Sequence, residues 1–318
     1  MTGNECKAMA DMLLGARDVA VFCHISPDGD TLASALAVYR ALTPRGISVS
    51  LYSEDGVPEK YKFLEGAELF TRAGKRVHEL ALAVDCSDID RLGGGARAFL
   101  AAKKRAVIDH HKTHIKFAPS TLVDSDAAAC AEIVYRVLDS AGLVDKSVAE
   151  ALFVGVVTDT GCFRFSSTTA ETHAIAADLM RRGIDAEALV CNSYSKTTRS
   201  IFALKQRVLG GCKFFDDGKI AVIAFRKKDF EETGTTAADT DGVIDPVIAI
   251  AGVEVAFSIA EVADKSFKIS IRTSGGADAS DIAAVFGGGG HSRAAGCRLN
   301  GYYEDIVDKL MKAARDRL

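Results

Sequence analysis

Four segments of this chain place histidine and aspartate at spacings that suit metal chemistry, and each directly follows a short apolar run. They are His24-x-x-x-Asp28-x-Asp30 after Val19–Cys23, Asp85 after Leu80–Val84, Asp109-His110-His111 after Ala106–Ile108, and Asp159 after Val148–Val157. Imidazole and carboxylate donors without thiolates suit a hard or borderline divalent ion, Mn²⁺ or Mg²⁺ foremost, with Zn²⁺ or Co²⁺ also accommodated. There are more ligands than one ion takes. Two ions about 4 Å apart, sharing a carboxylate, form an apparatus for in-line attack on phosphorus. Taken singly, an Asp-Gly-Asp run is an ordinary turn and helix cap. Two adjacent histidines after an aspartate are less ordinary, because burying them unpaired is costly. His78 and His114 lack such a setting and are expected at the surface, and His173 is expected to be solvated on a helix.

The elements that must position these residues are readable from periodicity. Val19–Cys23, Ile47–Tyr52, Leu80–Val84 and Ala106–Ile108 read as strands, and Thr31–Leu42, Ser125–Ser140 and Thr168–Arg182 as amphipathic helices, the last two closed by Gly142 and Gly183. Val148–Val157 is helical or simply buried. The alternation predicts a parallel, doubly wound sheet, whose strands bring their C-terminal ends to one edge. The pattern then changes. Ser195–Leu209, carrying Lys196, Arg199, Lys205 and Arg207, reads as a linking helix. Lys219–Phe225, Val253–Ala260 and Phe267–Arg272 read as strands of a meander, with helices at Asp278–Phe286 and Tyr302–Leu318. The expected architecture is an α/β parallel-sheet domain (1–190), a linker helix (191–212) and a smaller α+β domain (213–318). Thr233–Asp245 is expected to be a loop; its Asp239, Asp241 and Asp245 lack the closing Glu of a calcium loop.

The 318 residues are 48% hydrophobic, enough for two cores, and the net charge of −4 supplies no basic field for duplex nucleic acid. No run approaches 18 apolar residues, and MTGNECKAMADML lacks the order of a signal peptide, so a soluble, cytoplasmic protein is expected, without membrane partners. Eight cysteines stand singly with no C-x-x-C pair, consistent with small buried hydrophobes in a reducing compartment.

Asp109-His110-His111, preceded by the His24–Asp30 motif and with Asp85 and Asp159 in order, resembles the DHH phosphoesterase superfamily. That group includes RecJ-like exonucleases, family II pyrophosphatases, and nanoRNases that also dephosphorylate 3′-phosphoadenosine 5′-phosphate (pAp). Ile271-Arg272-Thr273-Ser274 and the run Gly287–Gly290, His291 to Gly296 resemble the family's associated substrate-binding domain. The resemblance implies one ion on His24, Asp28 and Asp85, and another on Asp30, Asp85, His110 and Asp159, with Mn²⁺ foremost and Mg²⁺ or Co²⁺ as alternatives. It implies that Asp109 orients a histidine, and that His111 contacts the substrate phosphate and protonates the leaving oxygen. Arg272, Gly288, Gly289, Gly290 and His291 are the implied phosphate clamp. Arg164 is placed to reach a second phosphate and Phe163 or Phe165 to stack on a base, unless both rings are core. The implied substrates are short 5′-phosphorylated single-stranded RNA, dinucleotides and pAp, with a homodimer as the expected assembly. A phosphodiesterase for cyclic or linear dinucleotides would use the same residues. A non-catalytic nucleotide sensor is the reading from another class.

Overall fold

The computed structural model describes all residues except Met1 and Lys196, so the Lys196 assigned to the linking helix lies outside the described residues. The chain divides into two units, Met1–Lys196 and Thr197–Leu318.

The first unit runs α1 (Gly3–Leu14), β1 (Asp18–Phe22), α2 (Gly29–Leu42), β2 (Ser48–Tyr52), β3 (Phe70–Thr71), β4 (Leu80–Val84), α3 (Ala96–Ala101), β5 (Lys104–Asp109), β6 (Ser120–Val123), α4 (Cys130–Asp139), α5 (Lys146–Asp159), α6 (Ala170–Arg181) and α7 (Ala186–Val190). Six strands form one parallel sheet in the order β3-β2-β1-β4-β5-β6. The chain winds outward from β1 in one direction, then returns and winds from β4 in the other. A crevice therefore opens beyond the C-terminal ends of β1 and β4, where the order reverses. Val19 and Val21 face a core built with α1, α2, α4 and α5, while Ala20 and Phe22 face a second core with Phe99 of α3. Both faces are covered, which is why these strands read as continuous apolar runs.

Asp159 reaches this edge by a different route from the other ligands. Val148–Val157 folds as part of helix α5, started by Asp145, whose carboxylate accepts from the Val148 N–H at 2.9 Å. The helix lies hard against α2 and α4. A Cβ added at Gly155 would fall 2.6 Å from the Ala131 Cβ and 2.8 Å from the Asp30 carboxylate, and one at Gly29 would fall 2.4 Å from the Thr158 hydroxyl. These glycines let Asp159 arrive beside the strand-end ligands.

The second unit runs α8 (Arg199–Gly210), β7 (Lys213–Phe215), β8 (Ile220–Phe225), α9 (Lys227–Thr233), α10 (Asp245–Ile248), β9 (Val255–Ala263), β10 (Ser266–Thr273), α11 (Ala279–Ala284), β11 (Gly289–His291), β12 (Ala294–Asn300) and α12 (Tyr303–Arg315). The strands order as β11-β12-β10-β9-β8-β7. β8 and β9 pair in parallel, so the sheet is mixed rather than the antiparallel meander expected from sequence. The reason is the crossover through α9 and α10; the stretch expected as a loop, Thr233–Asp245, runs between these helices and holds only the short 3₁₀ turn Ala237–Thr240. One face packs on α11 and α12, the other on α9, α10 and Leu204 and Val208 of α8. Among the described residues no helix is long and apolar enough to cross a membrane.

Candidate metal centre

β1 ends into a loop pinned on both sides. The Ile25 N–H donates to the Arg91 carbonyl at 2.7 Å and the Ser26 N–H to Asp55 at 2.6 Å. Asp28 caps α2, its Oδ1 accepting from the Asp30 and Thr31 amides at 3.1 Å each. The Thr31 hydroxyl donates to the Val84 carbonyl at 3.0 Å, tying this helix to the end of β4 beside Asp85. Asp85 itself has φ +59°, a left-handed backbone in a non-glycine residue, of the kind that persists at functional sites where the surroundings enforce it.

Around Asp85 the side chains form overlapping groups. His24 Nε2 lies 3.6 Å from Asp28 Oδ1 and 3.5 Å from Asp85 Oδ2. His110 Nε2 lies 3.4 Å from Asp85 Oδ1 and 3.4 Å from Asp159 Oδ2. His24, Asp28 and Asp85 bring donor atoms within 4.8 Å of one another, and so do Asp30, His110 and Asp159. Both histidines are turned the right way. The His24 Nδ1–H donates to the Ile25 carbonyl (2.8 Å) and the His110 Nδ1–H to the Ala127 carbonyl (3.2 Å), directing each Nε2 at the carboxylates. Asp85 Oδ1 is buried without a hydrogen-bond partner, an arrangement a cation would satisfy. The residues present therefore fit a divalent metal.

Asp30 does two things. Its Oδ2 accepts from the Cys130 amide at 2.5 Å, and its Oδ1 accepts from Ala131 at 2.9 Å and the Ser34 hydroxyl at 3.3 Å. It thus caps α4, whose own N-cap residue, Ala129, has no side chain to do so. The helix expected from Ser125 begins only at Cys130, where this remote carboxylate meets it.

His111 differs from its neighbour: its Nδ1–H donates to Asp109 Oδ1 at 2.7 Å, and with Asp85 and His110 it forms a third group of donor atoms within 4.8 Å of one another. The other oxygen of Asp109 accepts from His114 Nδ1 at 2.7 Å. His114 is therefore part of the site, not a surface residue. The signal for it was present: two histidines three residues apart can share one carboxylate across a turn, here closed by the His114 N–H donating to the His111 carbonyl. His78 is also buried, held between Asp18 (3.0 Å) and the Tyr52 hydroxyl (2.9 Å), whereas His173 is exposed as expected and stacks on Phe163.

Burial opposes the charged form of His24 and His110. Asp28 and Asp85 outweigh it at His24, raising its pKa to about 10, and Asp85 and Asp159 raise His110 to about 11. Burial, with Asp85 and Asp28, raises Asp159 to about 7 against the pull of His110. Asp85 is held well below the usual range, because His110 and His24 overcome its burial. Without metal, protons are the counter-charge of this carboxylate cluster. A histidine raised from 6.5 to about 10 contributes stability fully below pH 6.5 that is lost as pH rises towards 10. The metal-free protein is accordingly expected to lose melting temperature between pH 6.5 and 10, and Mn²⁺ to raise it more at pH 8.5 than at pH 6.5, because fewer protons compete. Thermal melts with EDTA or Mn²⁺ across that range check this; a metal-free melting temperature that climbs with pH would contradict it.

After Asp159 the chain turns through Gly161, Cys162 and Phe163, all left-handed (φ +58°, +59° and +63°). Phe163 turns inward against the core, while Phe165 is 53% exposed with its ring against Gly161. Arg164 Nε donates to the Gly161 carbonyl at 2.7 Å, and its guanidinium lies 6.0 Å from the Tyr194 ring. In the second unit, Arg272 and His291 flank Ala294 on one rung of three neighbouring strands, about 10 Å apart by strand spacing. Arg272 Nε donates to Asp245 at 3.2 Å. Gly288 and Gly290 have a packing reason for lacking a side chain: a Cβ would lie 2.2 Å from the Gly296 carbonyl and 2.5 Å from the Ala294 carbonyl respectively. Gly289 faces open space.

The model of the DHH family N-terminal domain matches residues 18–156, and that of the DHHA1 domain matches 217–318. The chain carries a DHH domain followed by a DHHA1 domain. It is a hydrolytic enzyme of a metal-dependent phosphoesterase family, with the DHH domain carrying the cluster around Asp85 and the DHHA1 domain carrying Arg272 and His291. It is 28% identical over 305 residues to the bifunctional oligoribonuclease and PAP phosphatase NrnA of Thermus thermophilus, covering 94% of this chain and 90% of that one. The protein of the same name from Bacillus subtilis is 24% identical, covering 91% and 90%. An exopolyphosphatase-related protein from Bacteroides fragilis shares the fold with a TM-score of 0.92 at 23% identity, covering 99% of this chain and 96% of that one.

Proposed function

We propose that this protein is a two-metal phosphoesterase that degrades short 5′-phosphorylated oligoribonucleotides to mononucleotides and removes a phosphate from pAp. The observation that carries the reading is Asp85, whose two oxygens face different histidines, His24 and His110, each with its own further aspartates. One ion is assigned to His24, Asp28 and Asp85, and the other to Asp30, Asp85, His110 and Asp159, with Mn²⁺ as the ion of choice for this oxygen and imidazole donor set. Bound there, the ions supply Lewis-acid polarisation of the phosphoryl group and water of lowered pKa.

The chain's own groups do the rest. Asp109 holds the His111 Nδ1–H, so Nε2 is oriented to bind a phosphate oxygen and to pass a proton to the leaving oxygen. Phe165 offers an exposed ring for a base, a contact worth about 1–3 kcal/mol. Arg272 and His291 serve as a phosphate clamp, with Gly289 allowing close backbone approach. The names of the Thermus and Bacillus relatives support this substrate class.

The test is hydrolysis with purified protein and Mn²⁺, comparing pAp, a 5′-phosphorylated dinucleotide, a 24-mer, a cyclic dinucleotide and pyrophosphate. Fastest turnover of the first two is expected; faster turnover of pyrophosphate or the cyclic dinucleotide would overturn the assignment. Arg272→Ala should raise KM for the dinucleotide about 10-fold or more, the worth of a charge-assisted phosphate contact. The same variant should leave a small chromogenic phosphodiester nearly unaffected, and an equal loss on both substrates would remove Arg272 from the clamp.

A further inference from the structure

Arg91 stands in the 3₁₀ segment Ile89–Gly95 that follows β4. Its backbone is fixed from three sides. Asp88 caps the segment by accepting from the Asp90 and Arg91 amides at 2.9 and 3.1 Å, and the Arg91 carbonyl accepts from the Ile25 N–H at 2.7 Å. Two residues on, Gly93 is left-handed (φ +53°), and a Cβ there would lie 2.6 Å from the Ile25 side chain. The half-buried guanidinium is thereby held beside the His24 ring, with one terminal nitrogen 3.1 Å from Nδ1. Among the described residues it makes no ion pair with a carboxylate.

His24 Nδ1 cannot serve two partners. With its proton on Nδ1, the ring donates to the Ile25 carbonyl and offers Nε2 to an ion, and Arg91 is left facing an N–H it cannot bond. The Ile25 carbonyl already takes this ring nitrogen at 2.8 Å, so the half-buried Arg91 guanidinium stands beside the carboxylate and imidazole cluster with N–H donors to offer a further group. A planar fork of donors in such a place suits an anionic oxygen ligand.

We infer that Arg91 is a phosphate-binding residue on the His24 side of the centre, taking the non-bridging oxygens of the substrate phosphate through its freed N–H groups. This rests on the two-ion reading of the site. Arg91 adds what the ions alone lack, directional donors that distinguish a phosphate bound in line from one bound elsewhere.

Arg91→Ala and Arg91→Lys both keep the carbonyl that pins Ile25, so they probe the guanidinium alone. The measurements are Mn²⁺ uptake by calorimetry, affinity of the Mn²⁺-loaded protein for adenosine 5′-monophosphate, and the kcat and KM of pAp hydrolysis. Arg91→Ala should bind Mn²⁺ within about twofold of the unmodified protein, while its affinity for the monophosphate falls about tenfold or more and KM for pAp rises in parallel, with Arg91→Lys intermediate. Unchanged monophosphate affinity would overturn the inference. So would a loss of Mn²⁺ affinity as large as the loss for the nucleotide, which would make Arg91 a prop for His24. Failure of the two-ion reading shows separately, as unmodified protein taking up fewer than two Mn²⁺ per chain, and would overturn this inference with it.

Discussion

Asp85→Asn is expected to lower kcat by at least about 10³-fold, roughly 4 kcal/mol of barrier, with the chain still folded. Asp85 is 3% exposed and, among the described residues, is the one carboxylate that faces both His24 and His110, so removing its charge weakens both proposed ion sites together. The substitution is nearly isosteric, and asparagine tolerates the left-handed backbone at φ +59° that a β-branched residue would strain. Secondary structure should therefore survive, and Mn²⁺ uptake should fall to one or none per chain. Calorimetry, circular dichroism and turnover of pAp check all three points. Mn²⁺-dependent hydrolysis within about tenfold of the unmodified enzyme would remove Asp85 from the centre of the account.

His111→Ala should lower kcat by about 10²–10⁴-fold while leaving Mn²⁺ binding intact, the range expected for losing a positioned proton donor. The two parts of that expectation come from one hydrogen bond. Asp109 accepts the Nδ1–H of His111 at 2.7 Å, and in the proposed mechanism this ring's Nε2 goes to the substrate and the metal is left to the other ligands. The loss should shrink for a substrate with a nitrophenolate leaving group, which departs without a proton. An equal loss on both substrates would assign His111 to binding alone, and a loss of Mn²⁺ would make it a ligand. His110→Ala is the contrast, since its Nε2 faces Asp85 and Asp159.

Much of this centre was legible from sequence because three ligand groups follow strands whose ends must lie side by side. An apolar strand followed at once by His24, Asp85 or Asp109 leaves little freedom in where those side chains go once the strands pair in parallel. What was not legible came from distant partners. The start of α4 could not be placed because its cap, Asp30, is 100 residues earlier in the chain. Asp159 arrives on a helix rather than a strand because α5 can approach α2 and α4 closely through Gly29 and Gly155, a contact no local pattern announces. His78 and His114 looked like surface residues because their carboxylate partners, Asp18 and Asp109, become neighbours only in the fold. The glycine run before His291 reads as an anion cradle, yet β12 lies where side chains at Gly288 and Gly290 would go, which leaves Gly289 as the position with open space.

The central claim is that Asp85 joins two ions in one centre, and Mn²⁺ titration of the metal-free protein followed by electron paramagnetic resonance tests it most directly. Two Mn²⁺ per chain are predicted, with the exchange-coupled spectrum of bridged ions, and that coupling should vanish in Asp85→Asn. A single, magnetically isolated Mn²⁺ per chain, insensitive to Asp85→Asn, would contradict it.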